Sequence, residues 1–124
     1  MPVVLHHIVI DAHDLLGLAR FWAAVLHWEV VSVREREVII GEDANAPMGI
    51  CFMPATEPKC VKNRLHFDLN AESAEDRLAE IDRILELGAT RVDIGQTGEE
   101  SWTVLADPEG NEFCVVRPKS TLIG

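Results

Sequence analysis

Two cycles of alternation followed by helical periodicity run along this chain. From Val3 to Asp11 the residues are mostly β-branched and alternate, with Ile8 and Ile10 on one face and His7, Val9 and Asp11 on the other. Such alternation predicts a strand. After the polar break AHD, the run LLGLARFWAAVL sets Leu15, Leu18, Ala19, Trp22, Val25 and Leu26 on one helical stripe, and Asp14 stands where an N-cap belongs. Trp28 to Val33 and Val38 to Ile40, separated by the charged stretch REREV, predict a hairpin, with a further strand from Met48 to Met53. The first half therefore reads βαβββ.

Residues 54 to 64, PATEPKCVKNR, mix prolines with basic residues and predict an irregular linker. Beyond it Leu65, Phe67 and Leu69 alternate with His66, Asp68 and Asn70, a strand with one apolar and one strongly polar face. Ser73 followed by Asp76 has the form of a capping box. Leu78, Ile81, Ile84 and Leu85 make the buried stripe of the helix it opens, and Gly88 ends it. The acidic run EDRLAEIDRILE supplies that helix's solvated face, with Glu and Arg at pairing distance. Strands are expected near Arg91 to Ile94, Ser101 to Ala106 and Asn111 to Val116, the last entered through a DPEG turn made by Pro108 and Gly110. Alternation sends Trp102, Phe113 and Val115 to the core and Cys114 to the opposite face.

The second half repeats βαβββ, so the pattern predicts an α+β fold of two duplicated modules, about 1–54 and about 65–118, within a single domain over 1–124. Two such modules are expected to form a cleft-shaped, half-barrel mixed sheet, its outer faces covered by helices and its polar strand faces turned inward.

Bulk properties narrow the function classes. A chain of 124 residues has room for one core, and its apolar runs are too short to span a bilayer. A net charge of -10, with no offsetting Lys or Arg cluster, argues against nucleic acid and anionic membranes as partners. The opening MPVVLHHIVI lacks the pattern of an export signal, and three widely spaced cysteines, Cys51, Cys60 and Cys114, form neither a disulfide framework nor a paired-cysteine zinc motif. A cytoplasmic protein with reduced thiols is expected. No GxGxxG, phosphate loop or GxSxG elbow is present, and GQTG at 95–98 precedes no anion-binding helix.

The segments HHIVIDAHDL, ARFWAAVLHWEV, LHFDL, LELGAT and DPEGNEFCVVRP, in this order, resemble the vicinal oxygen chelate superfamily, which includes glyoxalase I, extradiol dioxygenases and fosfomycin- and bleomycin-resistance proteins. The resemblance covers nearly the whole chain and is closest to small bacterial glyoxalase-like proteins. Metal-using members take one ligand from the first strand, one from the first strand of the second module and a carboxylate from the last strand. Some add a carboxylate from the fourth strand. By this resemblance the three positions fall on His7, His66 and Cys114, and the fourth strand, GICFMP, offers no carboxylate.

Two imidazoles and a carboxylate leave open positions on a hard divalent ion. A thiol in place of the carboxylate must lose a proton, with a pKa of about 8.5 in the free side chain, and suits softer metals than magnesium, manganese or iron. Glu112, two residues earlier on the same face, supplies a carboxylate only if a bulge shifts the register. Asp68 and Asn70, on the face of His66, are placed to orient that imidazole or meet a polar ligand.

The resulting expectation is a glyoxalase-like protein that binds a small organic molecule in a cleft lined by His7, His66, Asp68, Glu112 and Cys114. It is expected to be a homodimer, with no cofactor and no family-type metal centre. The alternative is a metal-dependent lyase or isomerase in which His7 and His66, with Cys114 or water, hold a divalent ion such as zinc.

Overall fold

The computed structural model describes residues 3–92 and 102–116, which form two units, Met1–Pro58 and Lys59–Gly124. The first contains β1 (His7–Ala12), α1 (Leu15–Leu26), β2 (Glu29–Arg34), β3 (Glu37–Gly41) and β4 (Gly49–Pro54). The second contains β5 (Asp68–Asn70), α2 (Ala74–Leu87), β6 (Thr90–Arg91), β7 (Trp102–Ala106) and β8 (Glu112–Val116). Among the described residues no helix is long and apolar enough to cross a membrane.

The expected stripe of α1 is the one buried. Leu18, Ala19, Trp22 and Val25 are inaccessible, joined by Phe21 and Ala23, and Phe21 meets Trp22 edge to face with ring centroids 5.3 Å apart. Asp14 caps the helix, its Oδ1 accepting from Gly17 N at 3.0 Å, and His27 closes it in a left-handed conformation. The helix packs on β2, β3 and β4. Val38 and Ile40 lie opposite Phe52 and Ile50 in the β3–β4 pairing, and all four are buried. The strand order is β1-β4-β3-β2, with β1 parallel to β4 and the other pairs antiparallel. A register shift between Val30 and Ser32 puts an irregularity in β2, an edge strand.

In the second unit the order is β5-β8-β7-β6, again with the first pair parallel and the rest antiparallel. Strand for strand this is the arrangement of the first unit, so the duplicated βαβββ pattern corresponds to a duplicated topology. Each module is an open, mixed four-stranded sheet with its helix, and the fold class is α+β.

Ser73 Oγ caps α2 by accepting from Asp76 N at 3.0 Å, and Gly88, at φ 129°, ends it with its N–H on Ile84 and Leu85 carbonyls. That φ lies in the region only glycine enters without strain. Ile81 and Ile84 are buried, but Leu78, expected in the same stripe, is 62% exposed. Its neighbour Arg77 makes the contact instead: Nη2 donates to Thr103 Oγ1 at 2.7 Å and Nε to the Val115 carbonyl at 3.3 Å. A guanidinium that finds two acceptors on the sheet occupies the place the apolar periodicity assigned to leucine.

The strand carrying His66 is also shorter than its alternation suggests, because β5 pairs with β8 only from Asp68 onward and Leu65 is exposed. The turn into β8 is built around Asp107. Its buried carboxylate accepts from Glu109 N, Asn111 N and Asn111 Nδ2 at 2.9–3.2 Å, and Gly110 follows at φ 90°. The outer part of the strand expected to reach Ile94, the GQTG turn and the Trp102 side chain lie outside the described residues.

Candidate functional site

Alternation along β7 and β8 sorts their side chains onto two faces. Thr103, Leu105, Phe113 and Val115 share the face that α2 reaches through Arg77, whereas Val104 and Cys114, direct partners in the pairing, point the other way. Asp68 is the register partner of Cys114 on the parallel side, so it shares that second face, and the His66 imidazole, from the segment just ahead of β5, reaches the same pair. Cys114 N donates to the Phe67 carbonyl at 2.9 Å, which pins this register just ahead of β5.

One donor atom each from His66, Asp68 and Cys114 lies within 4.8 Å of the others, a grouping of three unlike side chains, nitrogen, oxygen and sulfur. His66 Nε2 is 3.3 Å from Asp68 Oδ1, with the two side chains 42% and 59% exposed, while Cys114 is 9% exposed. Burial raises the Cys114 pKa first. The Asp68 charge and the hydrogen bond the thiol makes to it raise it further, and the nearby Lys62 charge opposes them. All but the last favour a protonated thiol at neutral pH.

This geometry is not that of an activated nucleophile. In a Cys–His pair the imidazole takes the thiol proton, but here a carboxylate holds it and raises the pKa. Cys51, in β4, is likewise a thiol whose pKa is raised by burial and by Glu37.

Glu112 is otherwise engaged. Its Oε1 accepts from Asn63 N at 3.0 Å and pairs with Lys59 Nζ at 2.9 Å, while Asn63 Nδ2 donates to the Glu112 carbonyl at 3.3 Å. The β7–β8 register runs from Trp102↔Val116 to Ala106↔Glu112 without a shift, so the bulge needed to bring this carboxylate into the place of Cys114 is not there. Burial pushes the Glu112 pKa up, but the hydrogen bonds from Lys59 and Asn63 outweigh it and leave the pKa lowered. The sequence pattern assigns Lys59, Lys62 and Asn63 only to a linker. The basic residues of PKCVKN were the available signal, though nothing in their spacing says which carboxylate or thiol they meet.

His7 lies in the first unit, at the start of β1 opposite Gly49, its ring tilted by 31° against that of His6 with 3.8 Å between centroids. Of the positions that the resemblance assigns to a family metal centre, His7 and His66 offer imidazoles and Cys114 a thiol held by Asp68. At the third of these positions the donor is sulfur rather than oxygen, which suits a softer ion than magnesium, manganese or iron, and the carboxylate beside it comes from Asp68.

Comparison with known proteins places this geometry in a family. A model of the glyoxalase-like domain matches residues 7–116. No curated protein sequence matches the chain significantly. Among solved structures, a glyoxalase/bleomycin resistance protein/dioxygenase family enzyme from Burkholderia phytofirmans PsJN superposes with a TM-score of 0.70 at 15% identity, covering 93% of this chain and 98% of that one. A putative glyoxalase from Bacillus halodurans gives 0.68 at 19% identity, over 92% and 95% of the two chains. A mutant of the fosfomycin resistance protein FosX from Listeria monocytogenes, complexed with Mn(II) and 1S,2S-dihydroxypropylphosphonic acid, gives 0.70 at 18% identity, over 94% and 90%. These identities speak for the fold, and the family match spans nearly the whole described chain: the protein belongs to the glyoxalase-like domain family of the vicinal oxygen chelate superfamily.

Proposed function

We propose that the protein binds a small organic molecule through the polar strand face carrying His66, Asp68 and Cys114, and that it does so without the hard-ion metal centre of its metal-using relatives. The observation that carries this reading is the state of Cys114. By the family resemblance the thiol falls where a metal-using relative has a carboxylate, and burial, with Asp68 beside it, favours its protonated form. Glu112, the other carboxylate near the strand start, is committed to Lys59 and Asn63.

The face offers an imidazole, a carboxylate and a thiol, two of them accessible to solvent. Such a set suits a ligand with both hydrogen-bond donors and acceptors on an otherwise apolar frame. Binding and sequestration are the role this proposal gives the face, because the thiol beside the imidazole has a raised pKa and is not an activated nucleophile. Homodimeric assembly belongs to the same proposal.

A thermal-shift screen of aromatic and polar antibiotics and metabolites tests it. A ligand present at about 100 times its Kd adds about 2.7 kcal/mol of stability and raises Tm by several degrees. His66→Ala is expected to abolish that shift for the true ligand. No stabilisation by any compound at high concentration would count against the proposal.

A further inference from the structure

We infer that His66, Asp68 and Cys114 form a site for a zinc-class divalent cation lying wholly within the second unit, with no ligand from β1. The three donors already converge to within 4.8 Å of one another. Two of them are set by the backbone: Asp68 and Cys114 are partners in the β5–β8 pairing, held there by the Cys114 N to Phe67 carbonyl hydrogen bond at 2.9 Å. The third, His66, comes from the segment just ahead of β5 and brings its Nε2 to 3.3 Å from Asp68 Oδ1.

His66 Nε2 and Asp68 Oδ1 are 3.3 Å apart. A charge-assisted hydrogen bond is shorter, about 2.7–2.9 Å. Two donors bound to tetrahedral zinc at about 2.0–2.1 Å are about 3.3–3.4 Å apart. Bringing sulfur into the same shell requires rotation of His66 and Asp68, both exposed, about a nearly buried Cys114 that serves as the fixed point.

The donor set selects the cation. Imidazole nitrogen, carboxylate oxygen and thiolate sulfur together favour Zn(II) and Co(II) over Mg(II), Ca(II) or Mn(II). On binding, the Cys114 S–H bond breaks, its electron pair forms the sulfur–metal bond and the proton leaves to solvent. Three protein donors leave a fourth position for water or for an oxygen of a bound molecule, the open arrangement of zinc sites that meet ligands. This site differs from the family centre in using Asp68 where the family uses a first-strand histidine, and it stands whether or not the small-molecule reading above holds.

The test is a titration of metal-free protein carrying Cys60→Ser with Co(II) and then Zn(II). The expected result is one Co(II) per chain, a thiolate-to-cobalt charge-transfer band in the near ultraviolet, and displacement by Zn(II). Cys114→Ser should abolish the band. Asp68→Asn, a change at an exposed side chain that keeps the fold testable, should weaken binding by at least about tenfold, the loss that even outer-sphere partners of metal ligands cause. His7→Ala should leave band and affinity unchanged. Absence of the band, or affinity unaffected by Asp68→Asn, overturns the inference while leaving the thermal-shift result untouched. A band lost in His7→Ala also overturns it, and would in addition favour a centre of the family type.

Discussion

Asp68 and Cys114 lie opposite each other across the parallel β5–β8 pair, and the thiol hydrogen-bonds to the carboxylate. Burial, and then the Asp68 charge across this pairing, raise the thiol's pKa and favour its protonated form. In metal-free protein, Cys60, which is exposed, should therefore alkylate first at neutral pH, with Cys114 and the buried Cys51 slow. Asp68→Asn removes both the charge and the anionic acceptor that favour the thiol. Alkylation of Cys114 should then quicken roughly several-fold, followed by peptide mass spectrometry. An unchanged rate would show that burial alone sets its reactivity.

Glu112 gives an acid limb to stability. Its pKa is lowered in the folded state, so the unfolded chain holds the proton more tightly and stability rises with pH through that window. The contribution is complete above the ordinary value of 4.5 and is lost as pH falls through the lowered one. Glu112→Gln should flatten this part of the curve and cost about 1–2 kcal/mol at neutral pH, measured by urea unfolding across pH. Equal losses at pH 3 and pH 7 would contradict the role given to Lys59 and Asn63.

Asp107 is the buried carboxylate of the β7–β8 turn, 3% exposed, and it accepts from two backbone N–H groups and one amide. Asp107→Ala leaves these donors unpaired at the entrance to the strand that carries Cys114. A loss of about 2–4 kcal/mol is expected, visible as a lowered Tm. A loss below about 0.5 kcal/mol would mean that water replaces the carboxylate at no cost.

How far the chain could be read depended on whether a feature was local. The α1 stripe, the caps Asp14, Ser73 and Gly88, and the DPEG turn follow from short-range spacing and chemistry, and the structure has them where the sequence placed them. Leu78 and Arg77 show the limit: periodicity names a face, but the acceptors on Thr103 and Val115 that draw the guanidinium inward come from strands 26 and 38 residues away. The same holds at the site. His66 and Asp68 were legible as neighbours on one face. The contact of Asp68 with Cys114 depends on a parallel register that no local pattern encodes, and so does the capture of Glu112 by Lys59.

Manganese(II) uptake, followed by electron paramagnetic resonance in metal-free protein at neutral pH, tests most directly whether a thiol at position 114 has removed the hard-ion centre of the family. Wild-type protein is expected to leave the spectrum of the aqueous ion unchanged, whereas Cys114→Glu should take up one ion per chain and lose it again when His66→Ala is added. Stoichiometric Mn(II) binding by the wild-type protein, lost in His66→Ala, would contradict the proposal.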